Sequence, residues 1–135
     1  MKRKQGVIVA TRKLSQVGGK QRFVIVKIGK PRKQKQGDLE CPYHINGIGT
    51  QKVMYGHGID SVQALVMALE GVRTTLEKST KKLSWAGGEP EETGFTRFVP
   101  TFYGLKFSKH LHRLIEREIL RFARLRERKR GRQLS

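Results

Sequence analysis

Residues 58–76 read Gly-Ile-Asp-Ser-Val-Gln-Ala-Leu-Val-Met-Ala-Leu-Glu-Gly-Val-Arg-Thr-Thr-Leu. Asp60 stands where a helix N-cap belongs, and Gln63 follows three residues on. That is a capping box in which Asp replaces the commoner Ser or Thr. Val62, Leu65, Val66, Leu69, Val72 and Leu76 then recur at helical spacing. The pattern predicts a helix over 60–80 that fades between Lys78 and Lys82. Gly71 in its middle costs about 1 kcal/mol relative to Ala unless it permits a close approach. Ala64 and Ala68 are small enough to lie directly on a sheet.

Upstream, the chain alternates. In residues 22–29, Arg-Phe-Val-Ile-Val-Lys-Ile-Gly, the side chains of Val24, Val26 and Ile28 share one face. Leu39, Cys41, Tyr43 and Ile45 repeat the pattern. Strands are expected at 7–14, 22–29, 39–45 and 52–57, with Val17-Gly18-Gly19-Lys20 as a hairpin connection and 30–38 as a basic loop. Gly47, Gly49 and Gly58 suit turns with positive φ.

Downstream, 84–104 reads as a long connection. Glu89, Glu91 and Glu92 form a solvated, mobile acidic loop, while Trp85, Phe95, Phe98, Phe102 and Tyr103 argue that parts of the segment are packed. A last helix is expected over 108–128. Phe107, Leu111, Leu114, Ile115, Ile119, Phe122 and Leu125 make one apolar sector, interrupted by Glu118. Arg113, Arg117, Arg121, Arg124 and Arg128 form a narrower stripe beside it. The expected architecture is α+β: an antiparallel sheet of about four strands with one helix packed on it, then a long loop and a basic helix. It forms one domain over 7–128, between basic tails at 1–6 and 129–135.

The segment Cys41-Pro42-Tyr43-His44-Ile45-Asn46-Gly47-Ile48-Gly49, followed by Gly58-Ile59-Asp60-Ser61-Val62-Gln63-Ala64-Leu65, resembles a family of small bacterial domains of unknown function. Ala10 to Leu14, Gly29-Lys30-Pro31 and Gly94-Phe95 are similar to it as well, so the resemblance extends over 7–120. It implies a strand-rich N-terminal half followed by helices, and it implies no activity. The matching residues are those of caps and turns.

Chemistry-bearing groups are few. Cys41, His44 and His57 are zinc-type ligands, but Cys41 and His44 lie three apart on a strand and should face opposite ways. Cys41 reads as a small core residue, not as a nucleophile. Gly47-Ile48-Gly49 lacks the remainder of a phosphate loop. With no nucleophile–base pair and no ligand constellation, a non-enzymatic protein without a cofactor or metal is expected. A single cysteine excludes an internal disulfide, and no apolar run approaches the ~20 residues of a membrane span, so a cytoplasmic protein is expected.

Charge is the strongest signal. The net charge is +18, from 29 Lys and Arg against 11 Asp and Glu. Residues 1–37 hold twelve bases and no acid, and residues 106–135 hold eleven bases and three acids. Such ends attract polyanions. The expected partner is RNA or DNA, held by its phosphate backbone. The candidate contacts are the five stripe arginines, Lys30, Arg32, Lys33 and Lys35 of the loop, and Lys129, Arg130 and Arg132 of the tail. The alternative is an interaction module, of adaptor or toxin-neutralising type, with an acidic protein partner. A solvated helix face partly paired with Glu116, Glu118 and Glu127 is the plainer account of the stripe.

Overall fold

A computed structural model describes residues 5–18, 22–49 and 52–134. Residues 1–4 of the N-terminal tail, Gly19 and Lys20 of the hairpin connection, and Ser135 lie outside the described residues. The chain divides into two compact units, Met1–Arg97 and Phe98–Ser135.

The first unit is a mixed α+β domain. Its elements run β1 (Ile8–Gln16), β2 (Phe23–Gly29), β3 (Arg32–Lys33), β4 (Leu39–Asn46), β5 (Met54–Gly58), α1 (Ser61–Lys78) and β6 (Leu83–Trp85). All strand pairs are antiparallel. The sheet has six strands, not four. The two additional ones are short: β3 falls in the expected basic loop, and β6 begins the expected long connection. Tyr43 pairs with Ile28 and Met54, and Glu40 with Arg32 and His57. A strand has two edges, so β2 and β3 occupy one edge of β4 in turn and β5 occupies the other. A register shift between Ile8 and Ala10 bends the start of β1.

Helix α1 starts as its sequence predicts. The Asp60 carboxylate accepts the Gln63 N–H at 2.7 Å, and the Gln63 side chain accepts the Ile59 N–H at 2.8 Å. The reciprocal bond thus reaches one residue beyond the cap. The buried face differs from the apolar pattern. It consists of Ala64, Ala68, Val72 and Leu76 with Arg73, while Val62 is 67% exposed and Leu69 38%. The reason lies on β5. A Cβ at Gly56 would meet the Ala64 carbonyl at 2.6 Å and the Ala68 Cα at 2.7 Å. Gly58 faces the Ala64 backbone in the same way and is not a positive-φ turn. Small residues therefore bring the helix backbone onto the strand. Gly47 and Gly49 do have positive φ, 109° and 95°. Gly71 leaves room for the Tyr43 ring and hydroxyl.

Leu14, Val24, Val26, Ile28, Cys41, Tyr43, Ile45 and Leu83 complete the core on one face of the sheet. Behind β6 the chain is tied down. Trp85 N–H donates to the Glu92 carbonyl at 2.9 Å, and Glu91 N–H to that of Leu83 at 2.8 Å. Arg12 lies over the rings of Trp85 (3.9 Å) and Phe95 (4.8 Å) and donates to the Thr93 carbonyl at 3.3 Å. The three glutamates are exposed as expected, but their backbone is held in a hydrogen-bonded turn, with Glu91 at φ 73°.

The second unit is dominated by α2 (Leu105–Leu134). It begins a turn before the expected Ser108, whose hydroxyl bonds back to the Gly104 carbonyl at 3.2 Å and the Pro100 carbonyl at 3.1 Å. Ser108 is thus an interior helix residue whose hydroxyl is satisfied four residues back. The helix also runs past Arg128. Arg, Lys and Gln are good helix formers and Gly131 alone opposes them, so the expected tail from Lys129 is helical. Phe102, Tyr103 and Phe107 meet edge to face within the unit.

Candidate nucleic-acid interface

A pitch of 3.6 residues places Arg113, Arg117, Arg121, Arg124 and Arg128 within one narrow arc of α2, spread over about 22 Å of its length. Arg117, Arg121, Arg124 and Arg128 border an open groove of about 410 Å³ with Leu120 and Leu125. Only Arg121 in the stripe is ion-paired at hydrogen-bond distance among the described residues, with Glu118 at 2.8 Å. That bond holds the Glu118 carboxyl below its usual range, and the nearby Arg117 adds to the effect. Among the described residues Glu116 and Glu127 make no such pair, so the solvated-pair account covers one arginine of five there. Like charges at i,i+4 cost about 0.2–0.5 kcal/mol each on a helix, and among the described residues only the Arg121–Glu118 pair offsets that cost in the stripe. Lys129 and Arg130 lie with Arg126 and Gln133 on another side of the same helix. Arg132 is exposed in its last turn.

The remaining candidates belong to the first unit and form their own patch. Lys30, Lys33 and Lys35 are exposed. Arg32 is not a loop residue: it sits in β3, bonded to Glu40 at 2.9 Å and lying 5.9 Å from the Tyr55 ring. Much of its charge is already engaged.

The other chemistry-bearing groups resolve into structure. Cys41 is fully buried, donates to the Gly29 carbonyl at 3.3 Å, and has its pKa raised by burial. His44 lies on the opposite sheet face, and the Gln34 side-chain N–H donates to His57 Nδ1 at 2.7 Å. No group of three metal-binding side chains occurs among the described residues. A cleft of about 510 Å³ runs between the end of α1 and residues 91–96. Its inner wall is Arg73, buried and held by Glu70 and by Glu77 at 2.8 Å. Those bonds raise the Arg73 pKa further and fix the guanidinium as a structural cation. Among the described residues no helix is long and apolar enough to cross a membrane.

One surface escaped the sequence reading. The face of the sheet opposite α1 presents Thr11, Lys13, Phe23, Lys27, His44 and Tyr55, with Lys13 Nζ lying 3.8 Å from the Phe23 ring centre. The signal was the complement of the alternation that located the core: Phe23, Ile25 and Lys27 stand between Val24, Val26 and Ile28.

The fold defines a class: an antiparallel sheet covered by one helix, followed by a separate basic helix. Residues 10–97 match the family model described as a domain of unknown function, DUF6968. The chain belongs to that family. The match ends where the first unit ends, at Arg97, so the resemblance expected to residue 120 stops short of α2. No curated protein and no solved structure matches the chain.

Proposed function

We propose that the protein binds nucleic acid through its phosphate backbone, without chemistry of its own, and that the arginine stripe of α2 is the principal contact. The observation that supports this is the stripe itself: five guanidiniums on one arc, four of them without a carboxylate at hydrogen-bond distance among the described residues. Arginine at four- and three-residue steps spaces donors about 6 and 4.5 Å apart along the helix, a run suited to successive phosphates. Lys30, Lys33 and Lys35, with Lys129, Arg130 and Arg132, add to the attracting field.

The test is fluorescence anisotropy of labelled duplex DNA and RNA across a salt series. Each phosphate contact on duplex DNA contributes about 0.9 to the slope of log K against log salt. Replacing Arg117, Arg124 and Arg128 together by Gln lowers that slope by about 2.7. An unchanged slope removes the stripe from the account.

A second reading is favoured by one observation. Ile119 and Phe122 beside the stripe are 61% and 62% exposed, and phosphate contacts leave them uncovered. A partner protein with an acidic, partly apolar surface would cover both. Its mark is an acidic protein retained on the purified chain at high salt, where buried apolar contacts persist and screened charges do not.

A further inference from the structure

The sheet of the first unit has α1 on one face only; on the other, Gln5 covers Gly29 and the buried Pro42, its amide donating to the Lys27 and Pro42 carbonyls at 3.5 Å. The other face is set by alternation: each core residue of β1, β2 and β4 is followed by one that points outward. Register then assembles these outward residues into rows. Thr11, Lys27 and His44 lie side by side across three strands, and Pro42 pairs with Tyr55 at the β5 edge. Phe23 lies four residues before Lys27 on β2.

We propose that the part of this face left open around Gln5 binds single-stranded nucleic acid, with bases stacking on Phe23 and Tyr55 and phosphates meeting Lys13 and Lys27. The charge is complementary to such a strand. Glu40 is the only carboxylate in β1 to β5, and it is neutralised by Arg32 at 2.9 Å, which leaves Lys13 and Lys27 unopposed. The aromatic groups are placed for stacking. Phe23 is 44% exposed at one end of the face, and Tyr55 is half-buried at the other, flanked by His57 and Arg32. Counting residues and strand spacings, the two rings are about 22 Å apart, a span for several nucleotides. Stacking on exposed aromatic rings is how sheets take unpaired bases without regard to sequence. Lys13 now rests over Phe23. An exposed cation–π contact is weak, so the ammonium can exchange the ring for a phosphate as a base arrives. A duplex keeps its bases stacked internally and gains nothing from these rings, which makes the surface selective for single strands.

This site uses residues of a different unit from the α2 stripe, and its test separates the two. Binding of the full-length chain is measured on fluorescein-labelled oligo(dT) and on duplex DNA. The proteins are the parent, Phe23→Ala/Tyr55→Ala, Lys13→Gln/Lys27→Gln and the triple stripe variant. Loss of base stacking weakens oligo(dT) binding about tenfold or more and leaves duplex binding unchanged. The lysine variant lowers the single-strand salt slope by about 1.4 and, being confined to surface side chains, remains informative if the aromatic variant does not fold. Photocrosslinking of bromouracil oligonucleotides is expected to label Phe23 or Tyr55. Equal affinity in parent and both sheet variants, or crosslinks only within α2, overturns the proposal. If the stripe variant changes no slope while oligo(dT) binding still depends on Phe23 and Tyr55, the function proposed for the stripe fails and this one stands.

Discussion

Gly56→Ala is the sharpest test of how the domain is held together. Helix α1 rests on β5 through Ala64 and Ala68, and the strand answers with Gly56 and Gly58. A methyl at position 56 would lie 2.6 Å from the Ala64 carbonyl oxygen and 2.7 Å from the Ala68 Cα. Carbon contacts are comfortable near 3.5–4.0 Å, so the helix must retreat by about 1 Å. Val72 and Leu76, on the same face, retreat with it. Overpacked cores lose about 1–3 kcal/mol. The obstacle here is helix backbone, which has no rotamer to change, so the loss should reach about 3 kcal/mol. Urea unfolding followed by the fluorescence of Trp85, the single tryptophan of the chain and a residue of the first unit, reads this as a shifted midpoint. With a slope of about 1.5 kcal/mol per molar, the midpoint falls by about 2 M. Adding Ala68→Gly does not restore it, since the methyl meets backbone and not the alanine side chain. A loss below about 1 kcal/mol would show that the helix has slack against the strand, and the close-approach argument would be wrong.

Three further outcomes follow from packed contacts. Arg12→Ala removes a guanidinium shared between Trp85 and Phe95 together with its bond to Thr93. It should cost about 1–2 kcal/mol, shift Trp85 emission to the red, and speed proteolysis between Trp85 and Arg97. Cys41 should resist alkylation in the native protein at neutral pH and react once urea exposes it. Because burial raises the folded-state pKa of the Cys41 thiol and of Tyr43, for which a hydrogen bond with Thr75 offsets part of the effect, their contribution is complete below the ordinary values. It is lost as pH rises through the folded ones, so the urea midpoint should decline in alkali.

What could be read from the sequence was whatever local chemistry dictates. Asp60 and Gln63 mark the start of α1 because a cap is a contact between neighbours in the chain. Val24, Val26 and Ile28 mark a buried face because alternation does not depend on the partner strand. What could not be read depends on distant residues. The helix face follows Ala64 and Ala68, not the larger Val62 and Leu69, because two glycines on another element admit only small neighbours. β3 and β6 are too short to leave a pattern and exist because β4 and β1 offer edges to them. The start of α2 at Leu105, a turn before the expected 108, follows from contacts with Pro100 and Gly104 that the helical spacing does not carry. For the candidate site, the stripe was legible because five arginines on one helix are a local fact. The engagement of Arg32 by Glu40 was not, since it needs β3 to be a strand.

The boundary at Arg97 bears on where a shared function can reside. The family model covers residues 10–97, and the structural unit closes at the same place through Arg12, which binds the start of that stretch to Thr93 and Phe95 near its end. Whatever DUF6968 domains have in common must therefore be supplied by the sheet, α1 and the turn behind β6. The arginine stripe lies outside that stretch, so it cannot define the family. Inside it, the helix-covered face is occupied by packing, and the cleft beside α1 is walled by an arginine already held by two glutamates. The sheet face with Phe23, Lys13, Lys27 and Tyr55 is where exposed cations and aromatic rings of the first unit come together. If α2 supplies general attraction to a polyanion, this face is where the domain can distinguish one strand from two. The comparison of oligo(dT) with duplex is accordingly the measurement that separates a property of the domain from a property of its appended helix.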